Sequence, residues 1–195
     1  MTDLARWWPL PDRTDLRDRL CEAYDDAARG YHDRTHLVEV LERLAELMPP
    51  DHPTRDAVLL AAWFHDAVYD TDGDNEERSA RLAEEELADT PHAAEVARLV
   101  RLTETHRPTD DDLDGQLLCD ADLAILAAPR ERYDAYVAGV RRDYAHISDE
   151  DFTIGRAAVL RDLGARDRLF HTAYAREHWE PAARANLAAE LAALG

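Results

Sequence analysis

Apolar residues recur in steps of three and four along most of the chain. Leu16, Leu20, Ala23, Tyr24 and Ala27 form one such set, and Leu37, Val40, Leu41, Leu44 and Leu47 form another. This spacing predicts amphipathic helices, each burying one stripe. Pro49-Pro50 ends the second helix, and Pro53 suits the first turn of a third that runs through the apolar stretch 58–64 and on through His65-Asp66 towards Tyr69. Asp72-Gly73-Asp74 then breaks the chain. Asp74 followed by Glu77 reads as an N-cap with an acidic first turn, opening a helix through Ala80, Leu82, Ala83 and Leu87. A further helix carrying Val96, Leu99, Val100 and Leu102 is expected from Pro91 to near Pro108, ahead of the acidic loop 109–112. Leu117, Leu118, Ala121, Ile125 and Leu126 place Asp120 and Asp122 in or near a short, mostly buried helix. Four more helices are expected at about 130–145, 149–163 with Ser148 as N-cap, 166–176 and 179–193. No β alternation, internal repeat or low-complexity tract competes with this pattern. The expected fold is all-α, a compact single-domain helical bundle over 1–195.

Composition narrows the function classes. The 195 residues carry a formal charge of −19, and no lysine occurs, so every permanent cation is an arginine. Such a surface repels nucleic-acid phosphates and anionic lipid, so neither a nucleic-acid polymer nor a membrane is an expected partner. Small anionic substrates stay open if a metal or local arginines invert the field inside a cleft. Cys21 and Cys119 lie far apart, without a Cys-x-x-Cys spacing or a secreted framework. No charged-then-apolar leader opens the chain, and no apolar run approaches the roughly 20 residues that span a bilayer, so a cytoplasmic location is expected. No feature indicates a homo-oligomer.

The candidate chemistry lies at His65-Asp66. An ionised aspartate just after Trp63 and Phe64 sits where burial costs several kcal/mol unless a cation or hydrogen bonds compensate it. Two imidazoles, His36 and His65, and two carboxylates, Asp66 and Asp122, would supply such a cation with four ligands. This donor set suits Mn, Fe, Co, Ni or Zn, and suits Mg less.

These residues also carry a resemblance. His36, the pair His65-Asp66, and Asp122 within Cys-Asp-Ala-Asp-Leu-Ala-Ile-Leu resemble in order and spacing the H…HD…D signature of the HD-domain metal-dependent phosphohydrolases. Tyr31-His32-x-x-x-His36, Trp63-Phe64-His65-Asp66-Ala67-Val68-Tyr69-Asp70, Asn75-Glu76-x-x-Ser79-Ala80 and Thr103-x-x-His106 are similar to a bacterial subfamily, the predicted HD phosphohydrolases. The resemblance covers roughly 29–126, with a weaker extension from Arg156 to Arg184-x-Asn186-Leu187; helices at about 130–193 would then complete an HD-type bundle.

What the resemblance implies is one divalent ion held by His36, His65, Asp66 and Asp122, with Asp122 favoured over Asp120. The bound ion would lower the pKa of a water towards about 7, and the metal-bound hydroxide would cleave a phosphate ester or anhydride of a small molecule, nucleotides among the candidates. Asp70, four residues after Asp66 and on its face if the helix persists, is a catalytic candidate, as are Glu76 and His106. Asp70 could equally be a loop aspartate, and Asn75 and Glu76 helix caps. His32 and Asn75 are candidate substrate contacts, and His32 or His106 could instead serve a second metal. Arg29, Arg156 and Arg184 suit phosphate clamps but read more simply as ion-pair partners.

Two other classes compete. A di-iron oxygenase of the HD type would need further histidines, of which His106 fits and His92 fits less well. A non-catalytic module would bind a nucleotide in the same pocket without turnover. A Gly-rich phosphate loop and the Gly-Tyr-Pro element of cyclic-dinucleotide-cleaving relatives are both missing.

Overall fold

A computed structural model describes residues 4–71 and 73–195; Asp72, part of the expected break, lies outside the described residues. Among these the chain forms ten α-helices and no strand: α1 Thr14–Tyr24, α2 Arg34–Leu47, α3 Arg55–Phe64, α4 Asn75–Glu86, α5 Ala93–Leu102, α6 Leu113–Asp122, α7 Arg130–Asp143, α8 Asp149–Ala165, α9 Ala173–His178 and α10 Glu180–Leu194. Short 3-10 segments occupy Leu4–Trp7 and Leu123–Ala127. No helix among the described residues is long and apolar enough to cross a membrane.

The apolar stripes assemble into two cores. The first is built from helices α1 to α6 around α3, whose residues from Ala57 to Phe64 are all buried. The second gathers Leu126, Tyr133, Tyr136, Leu160, Phe170, Trp179 and Leu187 from the remainder of the chain, together with Tyr31. Helix α6 packs on α2 and α3 and leads directly into the 3-10 segment, against which α10 lies. Asp122, the last residue of α6, therefore stands at the seam between the cores.

The helix expected to run to near Pro108 ends at Leu102, and two further helix expectations need correction for one shared reason: side chains capture backbone groups that a helix would have used. The third helix stops at Phe64 rather than running to Tyr69. The Ala62 carbonyl, which a longer helix would offer to the Asp66 N–H, accepts instead from His65 Nδ1 at 2.8 Å. The Asp66 N–H goes to the Tyr24 hydroxyl at 3.2 Å, and Ser79 Oγ takes the Val68 N–H at 3.0 Å. The Arg29 guanidinium caps the Asp66 and Ala67 carbonyls at 2.8 and 3.1 Å. The expected helix at 166–176 is likewise reduced to Ala173–His178. Ahead of it, Glu180 accepts the N–H groups of Leu169 and Phe170, and Asp120 those of His171 and Thr172 at 2.8 and 2.7 Å. A carboxylate that satisfies two successive amides stabilises an irregular segment that propensity alone would make helical.

The segment before α2 is clasped to α7 at backbone distance. A Cβ on Gly30 would collide with the Gly139 carbonyl oxygen, which is backbone and cannot swing away. The Asp143 carboxylate accepts the N–H groups of Gly30 and Tyr31, and Arg142 donates to the Gly30 carbonyl at 2.8 Å. Gly30→Ala should consequently cost about 3 kcal/mol. For a chain of this size that is a fall of about 6–12 °C in Tm. A Tm within 2 °C of wild type, allowing about 1 kcal/mol at most, would show that the two segments are not locked.

Candidate metal centre

Three places in the chain converge on one point. His36 lies one turn into α2, which Asp33 opens by accepting the N–H groups of Thr35 and His36. His65 and Asp66 hang from the end of α3, and Asp122 ends α6. Nε2 of His36 and Nε2 of His65 are 3.0 Å apart. Asp66 Oδ2 is 3.4 and 3.1 Å from these two nitrogens, and Asp122 Oδ1 is 3.1 and 3.7 Å from them. His36, His65 and Asp66 alone offer three ligand atoms within 4.8 Å of one another.

This spacing fits a cation. Ligand atoms about 2.1 Å from an ion stand about 3.0 Å apart at right angles and about 3.4 Å apart at tetrahedral angles. The three separations among His36, His65 and Asp66 fall in that range; Asp122 Oδ1 meets it at His36 but lies farther, at 3.7 Å, from His65, and only the first three form a group with all ligand atoms within 4.8 Å. The tautomer fits as well: His65 Nδ1 donates to the Ala62 carbonyl, so Nε2 of the neutral ring turns its lone pair to the centre. Two carboxylates and two neutral imidazoles carry a charge of −2, which a divalent ion would neutralise in surroundings where His36 and His65 are only 2% and 1% exposed.

The four groups also shift one another's protonation. Burial opposes the charged form of His36, but hydrogen bonds to Asp122 and Asp66 outweigh it and push the imidazole up to about 10. The same contest raises His65 above its ordinary value through the charges of Asp66 and Asp122. Burial acts to raise both carboxylates, yet the facing histidines hold Asp66 and Asp122 well below the usual range. Protons and a metal ion would compete for the same nitrogens, so acid should weaken metal binding.

The other sequence candidates divide. His106 joins the cluster from behind: its Nε2 lies 2.8 Å from Asp122 Oδ2, and its backbone has a φ of 51°, the left-handed region unusual for a non-glycine residue. His32 stacks on Tyr69 at 4.2 Å and places Nδ1 3.4 Å from Asp143 Oδ2. Asp70, Asn75 and Glu76 are not brought to the cluster. With α3 ending at Phe64, Asp70 does not share a helical face with Asp66; it is exposed, and Asn75 bonds its N–H and carbonyl at 2.9 and 2.8 Å to close the loop. Glu76 lies near Tyr144 and helps to raise that hydroxyl, after burial and Asp143. Of the three arginines, Arg29 caps carbonyls, Arg156 pairs with buried Glu190 at 2.7 Å, and Arg184 pairs with Glu180.

A cavity of about 770 Å³ opens beside the cluster, with Asp122, His106, His32 and Tyr31 in its wall. None of Asp70, Asn75 and Glu76 lines it. Tyr31 is a residue that sequence reasoning passed over. Its ring packs 4.7 Å from that of His36, and its buried hydroxyl has no hydrogen-bond partner. Burial, then Tyr136 and Asp122, push this hydroxyl well up, which keeps it a proton donor at neutral pH. Tyr24 and Asp143 were also passed over: one holds the Asp66 backbone, the other the Gly30-Tyr31 segment. Only the Tyr31-His32 motif beside His36 hinted at any of them.

Asp143 supports a pH test. Burial would raise its pKa, but His32 and the Gly30 and Tyr31 amides lower it below the ordinary value. For a depressed acid the stabilisation is fully present above the unfolded value of about 4 and disappears as pH falls through the folded one. Asp143→Ala should therefore cost about 2–4 kcal/mol near pH 6 by leaving two amides unpaired. The gap from wild type should narrow below about pH 4, and an unchanged gap in urea titrations at both pH values would refute the clasp.

Family models, curated proteins and solved structures were each compared with the chain, and none matches it.

Proposed function

We propose that this protein is a divalent-metal-dependent phosphohydrolase acting on a small phosphorylated molecule. The observation that carries the reading is the convergence of His36, His65 and Asp66 at separations that suit one ion, with Asp122 3.1 Å from His36 and in the wall of a cavity large enough for a metabolite. The resemblance to HD-domain phosphohydrolases adds the reaction type. When bound, such an ion supplies an activated water and withdraws charge from a phosphoryl oxygen.

The chain's own groups divide the remaining work. His65, fixed by the Ala62 carbonyl, keeps its Nε2 lone pair available to the centre. His106 donates to Asp122, fixing that carboxylate's orientation, and from the cavity wall it is the group assigned to protonate the leaving oxygen. The unpaired Tyr31 hydroxyl donates to a phosphoryl oxygen in the cavity. The two free thiols, Cys21 partly and Cys119 fully buried, agree with a reducing, cytoplasmic setting.

One observation favours a second reading, the two-iron oxygenase: Asp122 reaches His36 through Oδ1 and His106 through Oδ2, as a carboxylate between two metals would. Elemental analysis of protein purified without chelator, followed by a phosphate-release screen, separates the readings. One divalent ion per chain with phosphate release is expected. Two irons per chain would transfer the assignment to oxygenase chemistry, and no ion under any reloading condition would leave a binding module.

A further inference from the structure

The cavity beside the cluster is walled mostly by apolar surface. Leu126, Tyr136, Val140, Ile147, Phe152 and Val159 contribute apolar surface, and Val159, half exposed on α8, marks the rim. The charged groups that reach the wall do not favour a second anion. Glu104, Asp151 and Asp162 are acidic. Arg156 is 8% exposed and gives both Nε and Nη2 to Glu190, at 2.7 and 3.0 Å. Arg166 is held by Asp162 at 3.0 Å and by the carbonyls of Thr105 and His106 at 3.3 and 3.5 Å. Releasing Arg156 to a ligand would strand buried Glu190 at a cost of about 3–5 kcal/mol, and Arg166 would give up two backbone carbonyls as well as its pair with Asp162.

A phosphate chain needs several free cations or a second metal along its length, and this wall offers neither among the described residues. An apolar substituent, by contrast, would leave water for a surface that already excludes it. We infer that the cavity selects a phosphomonoester with a single anionic group, the phosphate at the metal cluster, carried on an apolar chain or ring that fills the space between α7 and α8. This rests on the phosphohydrolase reading. It goes further by excluding polyphosphates and substrates with a second acidic group in the tail.

The test uses alkylphosphonates, which keep the phosphoryl oxygens and cannot be hydrolysed. Calorimetric binding to the full chain reloaded with Mn should tighten from methyl- to octylphosphonate by about fourfold per methylene. Phosphonates of the same lengths ending in a carboxylate should bind more weakly than their alkyl counterparts. Val159→Asn, at a half-exposed position, and Phe152→Ser should flatten the chain-length dependence. Equal affinity along the series, or tighter binding of the carboxylate-ended compounds, would overturn the inference and leave the hydrolase reading standing, provided that phosphate release is detected. Absence of any phosphonate binding together with absence of phosphate release would overturn both.

Discussion

Asp66→Ala should emerge from a chelator-free purification without its ion and without activity. Asp66 Oδ2 lies within 3.4 Å of both imidazole nitrogens, so on the proposed reading its loss would remove a ligand and one of two neutralising charges together. Changing an outer partner of a metal ligand typically costs 10- to about 100-fold in affinity, so loss of the ligand itself should exceed that. The thermal signature is equally direct. Saturating wild type with its ion at about a thousand times Kd should add about 4 kcal/mol. For a chain of this length that corresponds to a rise of about 8–16 °C in Tm. Asp66→Ala should show no such rise, because the ion would no longer distinguish folded from unfolded chain. Retention of a stoichiometric ion, or full turnover, in the variant would remove the basis of the site.

The second large effect is expected at His106, where the pattern should invert. His106 touches Asp122, a proposed ligand, rather than the convergence point, and it lines the cavity. His106→Ala should keep the metal with affinity reduced no more than about 100-fold, while kcat falls by about 100- to 10,000-fold. At saturating metal the loss should appear in kcat far more than in KM. A variant that loses its ion outright would identify His106 as a ligand and favour two metals. His106 also holds a left-handed backbone conformation, which costs a residue with a Cβ of the order of 1 kcal/mol or more. A chain that tolerates this keeps the imidazole at a fixed place beside Asp122.

Most of the helices were legible in the sequence because each buries a stripe whose period is set by local geometry. The N-cap at Ser148 and the breaks around Pro49-Pro50 and Gly73 follow from side-chain chemistry that needs no partner. The errors have the opposite character. The end of α3 depends on Arg29, Tyr24 and Ser79, and the irregular segment before α9 on Asp120 and Glu180, all reaching across the fold. Periodicity carries no information on such captures. The same distinction explains the site. His36, His65, Asp66 and Asp122 could be named from the pattern of residue types, and the structure brings them together. Asp70 was placed by assuming that the helix continued, and where the helix stops that geometry is lost. Tyr31 needed knowledge of the cavity, since an unpaired hydroxyl is visible only once every neighbour is placed.

The position of Asp122 at the seam between the two cores has a consequence for the molecule as a whole. His36, His65 and Asp66 belong to the half organised by α3, whereas the residues that follow Asp122 enter the other half at once. On the proposed reading, an ion gripped by all four would act as a rivet through two plates. Thermodynamic reciprocity then applies: whatever strengthens the grip on the ion tightens the seam by the same free energy, and whatever prises the seam apart is felt as weaker binding. Metal supply would thus govern the mechanical cohesion of the molecule along with its chemistry.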